Sequence, residues 1–135
     1  MQNNLNIKIK SPSIFRGAFC LLLFFTGLSL FSQSQLKFKD TKKNFGFVKK
    51  GEVVTMVYEF TNVGNQPLIV TEAKVECSCT TVDYPSQPIL PNETGKITVK
   101  FDTKSVYDRQ DRTVEIKSNA KSSSQNIRFK GVVLK

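Results

Sequence analysis

Cys77 and Cys79 stand one residue apart in Val75-Glu76-Cys77-Ser78-Cys79-Thr80, and any special chemistry of this chain starts with them. In a regular strand, residues i and i+2 point to one face with Cα atoms about 6.6 Å apart. A disulfide wants Cα atoms within about 4.4–6.8 Å and Cβ atoms about 3.8 Å apart. A Cys-x-Cys bridge therefore forms only where the backbone bends, and it is expected to be easily reduced. Two thiolates holding one soft ion need sulfurs about 4–4.6 Å apart, which suits the i,i+2 spacing, and soft sulfur ligands select copper(I). Two sulfurs are half of a tetrahedral site, however, and Met56 is the only other sulfur downstream of the N-terminal region. A complete metal site at Cys77 and Cys79 needs a second molecule. Three roles stand for the pair: structural (buried thiols or a bridge), soft-metal binding, or thiol redox. The structural role is the default expectation, because free cysteine is among the most buried residue types.

The chain has no histidine. That removes Ser-His-Asp and Cys-His arrangements, a near-neutral imidazole base, and histidine-rich zinc or iron sites. Asp102, Asp108 and Asp111 fall where a loop between strands is expected, and Lys104, Arg109 and Arg112 beside them describe a solvated charged loop. No glycine-rich phosphate loop is present. The expectation is a protein with no catalytic residues and no cofactor.

The elements that must position the cysteines begin after an unusual N-terminus. Lys8, Lys10 and Arg16 form a basic lead-in to the apolar run Gly17–Phe31, which contains Cys20 and is shorter than the roughly 20 residues a membrane-spanning helix needs. Small and polar residues, Ser32-Gln33-Ser34-Gln35, follow. The pattern is that of a secretory signal peptide over residues 1–34, with an uncleaved membrane anchor as the alternative. Residues 35–135 then form one domain, periplasmic or at the cell surface. Loss of Lys8, Lys10 and Arg16 lowers the net charge from +9 to +6. Such a charge serves solubility and draws a protein towards anionic cell-envelope components. A nucleic-acid partner is not expected, since no recognition motif is present.

From Leu36 onwards the repeating signal has period two. Val54, Met56, Tyr58 and Phe60 alternate with more polar neighbours, as do Ile97, Val99 and Phe101. Val63-Gly64-Asn65-Gln66-Pro67 is a turn in which Gly64 and Asn65 are suited to positive φ. The alternation changes phase near Thr71-Glu72, which predicts a kink. Pro85, Pro88 and Pro91 end the short piece after Cys79, and Asn92-Glu93-Thr94 reads as a turn despite matching a glycosylation acceptor. Gly131–Lys135 is either an ordinary last strand or an edge open to pairing. About seven short strands in about 100 residues predict an all-β fold, an antiparallel immunoglobulin-like β-sandwich. Phe38, Tyr58, Phe60, Val75, Ile97, Val99, Phe101, Ile116 and Phe129 are the expected core.

Phe45-Gly46, Gly51-Glu52, Phe60-Thr61-Asn62-Val63-Gly64-Asn65-Gln66-Pro67-Leu68, Cys77-Ser78-Cys79-Thr80, Pro91-Asn92-Glu93 and Val99-Lys100-Phe101-Asp102 together resemble a bacterial family of secreted single-domain proteins of unknown function. Its signature is N-x-G-x-x-P-L followed by C-[GS]-C-T, and the likeness runs from Leu36 to Leu134. That resemblance implies a fold related to the Ig-like modules of ciliary and spindle proteins, major sperm protein and pilus-chaperone domains. It implies no activity. The family usually has glycine where Ser78 and Asn92 stand here, and asparagine tolerates the positive φ that glycine would supply. The expected function is a binding or scaffolding module, with a small metal-binding or thiol-redox protein working through Cys77 and Cys79 as the alternative.

Overall fold

The computed structural model describes residues 32–135, so residues 1–31 of the expected signal peptide (1–34) lie outside the described residues. The described residues form eight strands: β1 (Leu36–Phe38), β2 (Lys42–Lys49), β3 (Val53–Asn62), β4 (Val70–Val75), β5 (Thr80–Asp83), β6 (Thr94–Asp102), β7 (Asp108–Ser118) and β8 (Ser124–Leu134). They form two four-stranded sheets, ordered β1-β3-β6-β5 and β2-β8-β7-β4. All pairings are antiparallel except β2 with β8, which is parallel.

The strands form where the period-two alternation placed one apolar face. In β3, Met56, Tyr58 and Phe60 are buried while Val53, Thr55 and Val57 are exposed. β6 answers in register, with Met56 opposite Val99, Tyr58 opposite Ile97 and Phe60 opposite Gly95. Between the sheets the rings of Phe101 and Phe129 lie 5.2 Å apart and Phe45 completes the cluster, 5.8 Å from Phe101. Each such side chain contributes about 1.5–3 kcal/mol on burial. Eight of the nine expected core residues are buried. Val75 is not: it ends edge strand β4, beyond the cover of the opposite sheet, and is 38% exposed.

The expected kink is a bulge, a register shift between Val70 and Glu72 in the pairing of β4 with β7. The charged loop is corrected. Asp102 ends β6, and Asp108, Arg109, Asp111 and Arg112 belong to β7. Arg128 on β8 donates to Asp111 at 2.6 Å and, by that hydrogen bond above all, holds its carboxyl below the usual range. Charged side chains on a wet sheet face thus read as a loop in sequence. The chain end is not an edge either, because β8 is paired on both sides. Asn92 adopts positive φ (67°), as expected of it.

Tyr58 is fully buried and its hydroxyl donates to the Arg128 carbonyl at 3.0 Å. Burial pushes its pKa from 10.0 up to about 12. The neutral phenol is therefore the form the fold stabilises: its contribution is complete below about pH 10 and is lost as pH rises through about 12. Two pH units correspond to about 3 kcal/mol. Tyr58→Phe should lower stability at pH 7 by about 1 kcal/mol, through loss of the hydroxyl's bond to the Arg128 carbonyl, and flatten the alkaline decline. Urea melts at several pH values measure both effects, and an alkaline decline equal to wild type contradicts the assignment.

Candidate functional site

β4 and β5 belong to different sheets, and the cysteine turn is the connection that crosses between them. Cys77 and Cys79 are joined by a disulfide, with Cα atoms 5.2 Å apart. That spacing is shorter than a regular strand allows, so the bend a Cys-x-Cys bridge needs is present. The turn is held from both ends, the Thr80 amide donating to the Cys77 carbonyl (3.2 Å) and the Asp102 amide to the Cys79 carbonyl (2.8 Å). Both cysteines are half-buried, and the buried Thr80 hydroxyl lies 3.6 Å from the sulfur of Cys77 and 3.9 Å from that of Cys79.

Bonded sulfurs offer no thiolate, so an ion at Cys77 and Cys79 requires the reduced pair. Among the described residues no three cysteine, aspartate or glutamate side chains group as metal ligands. Closing so short a loop restricts the unfolded chain little, worth about 1.6 kcal/mol by loop entropy against about 3 for a 15-residue loop. Cys77→Ser/Cys79→Ser should therefore cost about 1.6 kcal/mol or less in a urea melt. A loss of 4 kcal/mol or more would mean that the bridge organises the sheet crossing.

A second feature sits where the sheets part. Lys37 to Lys50 holds six lysines against Asp40 alone, a net +5 within β1, β2 and their flanks. Lys39 reaches Glu59 at 3.7 Å. Lys42, Lys43, Lys49 and Lys50 pair with no carboxylate among the described residues. The Lys43 ammonium lies 5.5 Å from the centre of the Tyr58 ring, bridging the gap between the sheets. There β2 and β3 border an open groove of about 670 Å3, lined by residues 42–45 and 54–57. The period of β3 marked its apolar face; nothing local in the sequence marks β2 as its neighbour across this gap.

The turn after β3 carries the densest polar network. Asn62 is fully buried. Its amide nitrogen donates to the carbonyls of Gln66 (2.7 Å) and Ile89 (2.9 Å), and its side-chain oxygen accepts from the amides of Gly64 (3.0 Å) and Gln35 (3.3 Å). Asn65 accepts from the Gln33 amide at 2.8 Å, and the buried Ser34 donates to the Asn119 carbonyl at 3.1 Å. Asn65 has no positive φ and neither does Gly64, contrary to expectation. A Cβ there would run into the backbone of residues 33–35, so close approach is what requires the glycine.

Two sheets with these strand orders define the chain as an immunoglobulin-like β-sandwich. Residues 36–133 match a family described as "Protein of unknown function (DUF1573)", and the chain belongs to that family. No curated protein matches it. Among solved structures it is similar to a protein of unknown function from Porphyromonas gingivalis W83, with a TM-score of 0.66, 18% identity and 80% of this chain covered. The match spans half of that protein's length (50%). The ASH / PapD-like domain of human CEP192 (PapD-like domain 7) matches with a TM-score of 0.60 and 8% identity over 100% of this chain and 97% of that domain. The E. coli chaperone DraB matches with a TM-score of 0.52 and 10% identity over 74% of this chain and 54% of DraB. At these identities the likeness is one of fold.

Proposed function

We propose that this chain is a secreted, non-catalytic Ig-like module that works in the periplasm or at the cell surface by binding another envelope component. The observation that carries the reading is the placement of charge. Five of the six net positive charges of residues 32–135 fall in the Lys37–Lys50 stretch, of which Lys42 and Lys43 line the groove between β2 and β3. A local excess of positive charge of this kind speeds encounter with an oppositely charged partner. The N-terminal sequence supports export, and the absence of histidine from the chain supports a role without acid–base chemistry.

The test has two readings. A C-terminally tagged full-length chain should appear in the envelope fraction shortened at its N-terminus; a full-length product confined to the cytoplasm contradicts export. The purified domain from Ser32 onwards should then retain a saturable, salt-sensitive partner from an envelope extract. A Cys77→Ser/Cys79→Ser control should retain the same partner. Loss of the partner in that control moves the function to the cysteine pair, the reading in which it acts by redox exchange or soft-metal binding. What favours that second reading is the half-buried Cys77–Cys79 bridge, which closes a loop too short to be valuable to stability.

A further inference from the structure

The outer edges of a sheet are liabilities that folds blunt with short strands, charges, prolines or bulges. Most edges here follow that rule. β1 has three residues, and β5 has four, lying between the disulfide turn and Pro85. β4 carries Glu72, Lys74 and its bulge. β2 carries Lys42, Lys43 and Lys49 and a bulge at Phe45, where Gly46 turns to positive φ (72°). One stretch has no such device: Val53–Val57 of β3, on the side away from β6.

That stretch is open because β1 leaves it. β1 pairs with Phe60–Asn62, and the Lys39 amide makes the last bond on that side, to the Glu59 carbonyl at 2.9 Å. Two residues later the Thr41 carbonyl already accepts from Arg128 in the other sheet. The backbone of Asn62 bonds across to residues 92 and 93, on the β6 side, whereas Glu59 and Val63 bond towards β1 and its flanks. By the alternation of an antiparallel ladder, the N–H and C=O groups of Val53, Thr55 and Val57 point to the vacant side. Val53 is 57% exposed and Val57 40%, and none of the three is charged.

We propose that this edge of β3 accepts an extended acidic segment of another protein as an added strand, in the place β1 vacates. The proposal rests on the binding-module reading and names its partner class. Main-chain bonds to Val53, Thr55 and Val57 supply the pairing, as in strand addition generally. Alternate side chains of the incoming strand face the groove over Phe45 and Met56, and its carboxylates meet Lys42 and Lys43, which have no carboxylate partner. The same charges argue against two other occupants. A second copy pairing edge to edge would bring its own basic β2 alongside. The N-terminal 31 residues carry Lys8, Lys10 and Arg16 and no acid.

Ser32–Lys135 holds both sheets and the whole core described above, so the test uses that domain. The probe is a fluorescein-labelled octapeptide alternating glutamate with valine, read by anisotropy. Controls are the same peptide with a central proline, its lysine counterpart, and vesicles containing anionic phospholipid. Thr55→Pro removes one outward N–H and no ladder bond, so it should leave the melting transition nearly in place. It should weaken the glutamate peptide about tenfold or more, the loss expected for a broken pairing register. Lys42→Glu should weaken binding and reduce its salt dependence. The proposal is overturned by equal affinity for the proline peptide, by Thr55→Pro binding as wild type does, by binding to vesicles alone, or by concentration-dependent dimerisation that Thr55→Pro abolishes. If an envelope partner survives Thr55→Pro, the module still binds, but elsewhere, and only the β3 edge is lost as its site.

Discussion

Asn62→Ala should be the most damaging single polar substitution in the domain, lowering stability by about 3–5 kcal/mol. The side chain bonds four backbone groups at once, the carbonyls of Gln66 and Ile89 and the amides of Gln35 and Gly64, although the Ile89 carbonyl also accepts from the Leu68 amide at 2.8 Å. Each group left buried without a partner costs about 1–3 kcal/mol, and water reaching the more exposed ones reduces the total. Against a whole stability of about 5–15 kcal/mol that is a large fraction. Asn62→Asp keeps the accepting oxygen but loses both donated bonds and buries a charge, so it should be no milder at pH 7. Urea midpoints of the three proteins decide the matter. If Asn62→Ala costs less than 1 kcal/mol, the network is not what closes this end of the sandwich.

Gly64→Ala should cost about 2–3 kcal/mol for a different reason. Backbone conformation is not the obstacle, since Gly64 does not need positive φ. A Cβ would overlap the main chain of residues 33–35, where no flexible side chain can move aside. The segment must lift away, straining the bonds that Gln33 makes to Asn65 and Gln35 makes to Asn62. Overpacking of this sort costs about 1–3 kcal/mol, and the weakened hydrogen bonds add to it. The cause can be isolated by a double-mutant cycle. In a chain beginning at Leu36, Gly64→Ala should be nearly neutral, because the obstructing residues are gone. An equal penalty in both backgrounds would place the strain elsewhere in the turn.

Both predictions concern a turn whose motif stood out in the sequence for another reason. Asparagine, glycine and proline within seven residues announce a turn by their local preferences. They do not announce that the asparagine is buried, or that residues from the N-terminal side of the domain run across the glycine. Those roles come from partners 27 to 31 positions away. The strands were legible wherever one face is wet and the other dry, as in β3 and β6, and the phase change at Thr71-Glu72 marked a real bulge. β7 was cut short in the sequence because its first residues are charged on exposed positions, while Gln110 is the buried one. The parallel pairing of β2 with β8, and hence the gap beside β3, left no local trace.

The cysteine pair was legible as a pair and as a bend. The groove was not, since it exists only because β1 and β2 belong to different sheets. The lysines of Lys37–Lys50 stand together in the sequence, but nothing there says which of them face a neighbouring strand. Only the fold places Lys42 and Lys43 across the groove from β3.

The central claim, a binding module whose β3 edge is vacant until a partner fills it, is tested most directly by residue-resolved amide exchange. In the free domain the amides of Val53, Thr55 and Val57 should exchange far faster than those of Val54, Met56 and Tyr58, whose groups point to β6. Saturation with the glutamate–valine octapeptide should slow those three amides selectively. Protection of all six in the free monomer, or three outward amides that stay fast in the saturated complex, would contradict the account.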